Sequence, residues 1–93
     1  MATRQQMLRA AEKVGAMVEF SDGGDFCVET IAPDGKTWSC DPGLHILVTC
    51  QQDGESMSSV YQDMLDRITM GLQDCVCEEC KTLLTRINIY AKV

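Results

Sequence analysis

Three cysteines lie within six residues of one another in the stretch "DCVCEECK", which covers residues 74–81. Cys75, Cys77 and Cys80 follow a C-x-C-x2-C spacing, and cysteine thiolates are preferred protein ligands of Zn²⁺. Residues three apart on a helix share a face, so Cys77 and Cys80 can reach the same ion. The first chemistry that this sequence indicates is therefore metal binding.

A structural zinc ion takes four tetrahedral ligands, and these usually come as two paired sets. The sequence contains no second C-x2-C pair, so the fourth ligand has to lie elsewhere. The candidates are Cys50, Cys40 and His45, which all fall on the predicted sheet. Zinc held by Cys75, Cys77 and Cys80 with one of these residues is the alternative that the sequence leaves open.

Two other interpretations of the cysteines compete with a metal site. Cys77 and Cys80 could form a redox C-x-x-C pair, but a reactive thiolate needs a positive environment and the adjacent Glu78 and Glu79 provide the opposite field. The third interpretation places the thiols in the core, because free cysteine packs like a small hydrophobic residue. The sequence favours this third interpretation for every cysteine except Cys77, which is expected to be exposed beside the acids. We therefore expect no cofactor and no catalytic residue, and hence a non-enzymatic protein.

The formal net charge is −6, and its distribution along the chain carries information about partners. Between residues 14 and 66 there is one basic residue, Lys36, against ten acidic residues. Such a segment repels nucleic acid, whose binding depends on basic side chains that neutralise phosphates. It suits a basic surface on a partner protein instead. The predicted partner-binding residues are the acids of the predicted hairpins: Glu19, Asp22, Asp25, Glu29, Asp34 and Asp41.

The sequence also indicates a compartment. No apolar stretch reaches the roughly 18 residues that a transmembrane helix needs, and the first residues, "MATRQQMLRAAEK", lack the apolar core of a signal peptide. We therefore expect a cytoplasmic protein that keeps its thiols reduced.

The elements that must position these residues follow from hydrophobic periodicity. A helix is predicted from Thr3 to about Val14, with Thr3 and Gln6 as a capping box. Apolar residues at helical spacing, capped by Ser56 or Ser58, predict a second helix, and the last segment predicts a third. Between the first two helices, four short stretches separated by turn sequences predict strands: "AMVEF", "DFCVETI", "TWSC" and "LHILVTC". In the last of these, Leu44, Ile46, Val48 and Cys50 share one side.

These elements predict an α+β fold in which residues 1–93 form a single domain. An N-terminal helix precedes a four-stranded antiparallel β-meander, and two C-terminal helices pack on one face of the sheet. Trp38, Phe20 and Phe26 are expected to complete the core together with the apolar helix stripes. The opposite face of the sheet would be exposed and acidic. Free edge strands could also pair two copies of the chain into a homodimer.

Residues 32–48, "APDGKTWSCDPGLHILV", and the later stretch "DRITMGLQDC" resemble small proteins encoded by tailed phages and prophages. The resemblance covers about half of the chain and implies no enzymatic activity. It implies a context, because small acidic phage proteins often modulate or inhibit host machinery, as anti-CRISPR and other anti-defence proteins do. The resulting functional prediction is an interaction module whose acidic sheet face binds, and so blocks, a basic partner surface.

Overall fold

The computed structural model of the chain describes residues 2–33, 36–75 and 77–91, with side chains up to residue 87. The fold is α+β and contains three helices and a three-stranded antiparallel sheet with the strand order β1-β2-β3. In chain order, the elements are α1 (Arg4–Lys13), β1 (Met17–Ser21), β2 (Cys27–Ile31), a 3₁₀ turn (Trp38–Cys40), β3 (Ile46–Cys50), α2 (Met57–Gln73) and α3 (Glu78–Ala91).

The predicted four-stranded meander is wrong, because the stretch "TWSC" does not form a strand. Trp38–Cys40 makes a single 3₁₀ turn, and both Ser39 and Cys40 have positive φ angles, of 57° and 55°. Extended backbone cannot contain such left-handed residues. The turn is fixed by hydrogen bonds from the Trp38 amide to the Leu44 carbonyl (2.8 Å) and from the Asp41 amide to the Trp38 carbonyl (3.0 Å).

The antiparallel register decides which side of β3 faces the helices. Thr30 of β2 is fully buried, and its partner across the ladder is Leu47 of β3, which is also buried. Ile46 and Val48 consequently point away from the helices and are exposed. Ile46, Val48 and Cys50 of the row that the sequence pattern groups on one side therefore lie on the outer side of the strand, whereas Leu44, before the strand, packs against the core.

The helices cover one face of the sheet and bury one continuous core. Its largest fully buried side chain is that of Trp38, which occupies the space between the sheet and α2. The Trp38 indole nitrogen donates a hydrogen bond to the Thr30 carbonyl oxygen at 3.3 Å, so the ring is tied to the central strand. The apolar residues that fill the rest of the core are Ala2, Met7, Ala11, Val14, Val28, Leu47, Val60, Tyr61, Met64, Ile68, Leu72, Cys80 and Ile87.

Phe20 and Phe26 lie at the margin of this core rather than inside it. Both rings are half-buried, and they stack with their centroids 5.9 Å apart. Phe26 also meets the ring of buried Tyr61 edge to face at 6.2 Å. Arg4 places its guanidinium over the Phe20 ring, 3.9 Å from its centroid, and so covers the edge of the aromatic group.

Two predicted helix starts are confirmed. Thr3 accepts a hydrogen bond from the Gln6 amide at 3.1 Å, and the Gln6 side chain accepts one from the Thr3 amide at 2.9 Å, which completes the capping box. Ser56 caps α2 by accepting a hydrogen bond from the Ser59 amide at 3.1 Å. These local contacts satisfy amides that have no partner inside the helix. Among the described residues, no helix is long and apolar enough to span a membrane.

Gly71 lets the Trp38 ring lie directly against α2. A Cβ atom at this position would stand 3.2 Å from Trp38 Cε3 and 3.3 Å from Trp38 Cβ, which is closer than ordinary van der Waals contact. Glycine inside a helix costs about 1 kcal/mol relative to alanine. Close packing of the tryptophan therefore outweighs local helix propensity at this position.

We expect the substitution Gly71→Ala to lower the free energy of unfolding by roughly 1 kcal/mol. Overpacking a buried contact costs about 1–3 kcal/mol, and the better helix propensity of alanine offsets only part of this. Urea denaturation measures the change. Gln73→Ala, at an exposed position of the same helix, is the matched control and should change stability by less than about 0.5 kcal/mol. Equal stability of both variants would contradict the proposed role of this contact.

Candidate metal centre

Four thiols from two distant segments meet at one end of the molecule. Cys40 ends the 3₁₀ turn, Cys75 and Cys77 lie between α2 and α3, and Cys80 belongs to the first turn of α3. All four sulfur atoms lie within 4.8 Å of one another. From Cys40 Sγ the distances are 2.8 Å to Cys75 Sγ, 3.7 Å to Cys80 Sγ and 4.0 Å to Cys77 Sγ. A Zn–S bond of about 2.3 Å places tetrahedral sulfur atoms about 3.8 Å apart. This group of sulfur atoms, called the four-thiol cluster below, matches that spacing at two of the three distances, and the Cys40–Cys75 distance is about 1 Å shorter.

Trp38 positions Cys40 within the four-thiol cluster. Its ring is fixed between the Thr30 carbonyl and Gly71, near the end of α2. The left-handed backbone at Ser39 and Cys40 then reverses the chain direction directly after the tryptophan. Cys40 consequently lies beside the connection that follows α2, although 35 residues separate it from Cys75.

The start of α3 positions Cys77 and Cys80. The Cys80 amide donates a hydrogen bond to Cys77 Sγ at 3.4 Å, and the Lys81 amide donates to the Cys77 carbonyl at 3.1 Å. Cys77 thus takes the place that a serine or aspartate side chain commonly takes at a helix start. The free amides and the dipole at a helix N-terminus stabilise negative charge, which suits a thiolate ligand.

The thiols perturb one another's acidity in opposite directions. The pKa of Cys75 is lowered to about 7, mainly by its hydrogen bond with Cys40. The same contact is the main reason that the pKa of Cys40 is raised to about 11. Burial is the main cause that raises the pKa of Cys80. These opposite shifts arise because sulfur atoms this close cannot all carry a negative charge at low cost. A divalent cation among them removes that repulsion.

One ion pair flanks the four-thiol cluster. The Lys36 ammonium donates a hydrogen bond to a Glu79 carboxylate oxygen, and this contact is the main cause that raises the pKa of Lys36. The charges of Cys77 and Cys40 raise it further. Lys36 is the one basic residue in the acidic middle of the chain, and it lies beside the thiols.

A cavity of about 240 Å³ borders the four-thiol cluster on its inner side. Apolar side chains of the core form much of its wall, including Trp38, Leu72 and Leu83, and Cys40, Cys77 and Cys80 line it as well. The sulfur atoms therefore have an apolar boundary on one side and the Lys36–Glu79 pair nearby.

The three clustered cysteines of the sequence analysis come together, but two of the three candidate fourth ligands do not join them. Cys50 is bonded to Cys27 in a disulfide across β2 and β3. His45 is an exposed residue just before β3. Cys40 is the fourth thiol. The sequence indicates Cys40 as a ligand only weakly, because it predicts a strand at this position and no second cysteine lies nearby in the chain.

The prediction that all six cysteines are free is wrong for Cys27 and Cys50. They are cross-strand partners in the register of β2 and β3, with Cα atoms 4.0 Å apart. Direct cross-strand positions bring two side chains of one sheet face together, so a bond between these residues requires no rearrangement of the chain. Packing of the thiol in the core is confirmed for buried Cys80 and wrong for exposed Cys40, and the expected exposure of Cys77 is confirmed.

The acidic residues that were predicted to bind a partner do not all share one surface. Glu19 and Glu29 are direct cross-strand neighbours on the face of the sheet away from the helices. Asp22 and Asp25 are exposed in the turn between β1 and β2. Asp41 follows the 3₁₀ turn, where its carboxylate accepts a hydrogen bond from the Gly43 amide at 3.1 Å. Asp34 lies outside the described residues.

Comparison of the chain with protein-family models, with curated proteins and with solved structures found no match. The resemblance to phage-encoded proteins therefore stays a prediction. The function has to be argued from the geometry of the described residues.

We expect iodoacetamide to modify four of the six cysteines when the protein is denatured in the presence of a chelator and in the absence of a reductant. Cys27 and Cys50 are protected because they are bonded to each other, and the four remaining thiols are free. Mass spectrometry of the intact chain gives the number, and peptide mapping gives the positions. After reduction, all six should react. Modification of Cys27 or Cys50 without reductant would show that the disulfide does not form in solution.

Proposed function

We propose that this chain is a small, non-enzymatic structural module whose fold is stabilised by one Zn²⁺ ion on Cys40, Cys75, Cys77 and Cys80. One observation carries the proposal: four sulfur atoms from segments 35 residues apart lie within 4.8 Å of one another. Ordinary core packing does not gather four thiols at a partly exposed position, whereas coordination by one ion requires it.

The ligand set favours zinc in a structural role. A tetrahedral set of four sulfurs is typical of zinc or of iron–sulfur centres, and a single ion suits sulfur atoms this close together. Four thiolates occupy every position of a tetrahedral ion, so no position remains for a substrate or a reactive water molecule. A site of this kind stabilises a fold and does not catalyse a reaction.

Coordination would connect two parts of the chain that are distant in the sequence. Cys40 belongs to the loop between β2 and β3, and the other three thiols belong to the connection before α3 and to its first turn. An ion at the four-thiol cluster therefore fixes α3 to the sheet side of the molecule. Because the binding site forms only in the folded chain, the free energy of metal binding adds to the stability of the fold.

We expect native mass spectrometry to find one zinc ion per chain, and removal of zinc by a chelator to lower the melting temperature by more than ten degrees. Apparent binding free energies of structural zinc sites are roughly 10–16 kcal/mol in small peptides, so loss of the ion should affect a chain of this size strongly. Circular dichroism follows the unfolding.

Two variants locate the ion. Cys40→Ser should weaken zinc binding by at least about a hundredfold, because it removes the only ligand outside residues 75–80. The double variant Cys27→Ser/Cys50→Ser also loses cysteines but leaves the four-thiol cluster intact, and it should keep one zinc ion per chain. A metal-free chain of full stability would exclude the proposed role.

We also propose that the module acts by binding a protein partner with a basic surface. The adjacent carboxylates of Glu19 and Glu29 support this role, because like charges directly opposite on neighbouring strands destabilise the isolated sheet and a bound cation relieves them. Inhibition of host machinery by a phage-encoded protein is one use of such a surface. That use is supported by the sequence resemblance alone.

A further inference from the structure

The sheet has an outer face, away from the helices, on which nine side chains form three cross-strand rows. The register places one residue from each strand in every row. The rows are Met17–Ile31–Ile46, Glu19–Glu29–Val48 and Ser21–Cys27–Cys50. One row is entirely apolar, the middle row joins two carboxylates to a valine, and the third row contains the disulfide. The predicted acidic face is thus a mixed face, with apolar side chains beside its acids.

The exposed apolar side chains of the molecule are concentrated on this outer face. Met17 is 64% exposed, Ile46 45% and Val48 42%. They account for three of the five large apolar residues that are exposed among the described part of the chain; the other two belong to α2. Exposed apolar side chains that adjoin one another, with polar residues around them, mark interaction surfaces.

The two carboxylates at the centre of the outer face have no counter-charge within the described part of the chain. Glu19 and Glu29 face each other across the β1–β2 ladder, and neither makes an ion pair or a side-chain hydrogen bond with another residue among 2–33, 36–75 and 77–91. A cationic side chain placed between them would pair with both. It would lie next to Val48 and within one row of Met17 and Ile46.

The outer face is held in a fixed shape before any partner arrives. The disulfide Cys27–Cys50 joins β2 to β3 within the face itself, and β2 is bonded along its length to both neighbours. A rigid binding surface loses little conformational entropy on association, which leaves more of the interaction energy for affinity.

We propose that the outer face is a docking surface for a basic, amphipathic segment of a partner protein. One Lys or Arg of that segment pairs with Glu19 and Glu29, and its apolar side chains cover Met17, Ile46 and Val48. This inference rests on the partner-binding role proposed above and assigns that role to one surface. A second copy of the chain is a poor occupant, since it would bring the same two carboxylates and a net charge of −6 against this face.

The test uses the full chain and, as the probe, a fluorescently labelled synthetic peptide of about ten alternating leucine and lysine residues. Fluorescence anisotropy measures the affinity at low and at physiological salt. We expect the double variant Glu19→Gln/Glu29→Gln to bind the peptide at least about tenfold more weakly than the parent, because it removes both partners of the bound cation. The matched control Glu12→Gln/Asp53→Asn removes the same charge from exposed positions elsewhere and should weaken binding less than about threefold.

A second pair of measurements tests the apolar part of the face. Ile46→Thr/Val48→Thr keeps the strand and all charges, so it should weaken binding of the leucine–lysine peptide but not of an oligolysine of equal length. Circular dichroism and zinc content verify that each variant is folded.

Three other outcomes of these binding experiments would each contradict a different part of the proposal. Equal weakening by the two charge-removing variants would show that only the overall charge attracts the peptide, and it would overturn the assignment to the outer face. No binding of either peptide at low salt would remove the charge-driven partner role as well. A dimer in sedimentation that Ile46→Thr/Val48→Thr dissociates would show that a second copy occupies the face, and would also overturn the proposal.

Discussion

The contact between the Trp38 ring and the helix backbone at Gly71 is the constraint on which the rest of this structure depends. The ring occupies the centre of the core, and its indole N–H is bonded to the central strand. The turn that contains Trp38 ends in Cys40, so the same contact that fills the core also places the fourth thiol beside the end of α2. Core packing and assembly of the candidate metal centre are therefore one event. A change that moves the ring changes both.

A chain of 93 residues has a small core, and this one is reinforced by a disulfide and, as proposed, by a second crosslink through a metal ion. The disulfide joins the start of β2 to the end of β3. The four-thiol cluster lies at the opposite end of the same two strands, where the connecting loop contributes Cys40. The two crosslinks thus hold both ends of the β2–β3 pair. The disulfide fixes the register within the sheet, and the proposed ion would fix the loop between β2 and β3 to the helices.

Local features of the sequence could be predicted, and features that depend on distant contacts could not. The capping box at Thr3 follows from side chains three residues apart, and Cys75, Cys77 and Cys80 are close in the sequence itself. Cys40 could not be assigned, because its position depends on left-handed backbone at two non-glycine residues and on a tryptophan packed against a distant helix. The orientation of β3 could not be predicted for a related reason. Apolar residues occur on both sides of this strand, so alternation alone does not show which side is buried, and the register with β2 decides it.

A disulfide and a cluster of reduced thiols make opposite demands on the redox environment, and the geometry shows how one chain can satisfy both. Cys27 and Cys50 face each other across a ladder that the sheet holds in place, so their bond closes a pair that folding has already brought together. The four clustered thiols are also close enough to react with one another, but thiol–disulfide exchange requires a free thiolate. Coordination by the proposed ion occupies all four sulfurs at once. The metal would thus separate the two kinds of cysteine chemistry. It would protect the thiols of the cluster from oxidation, so that only the cross-strand pair forms a disulfide.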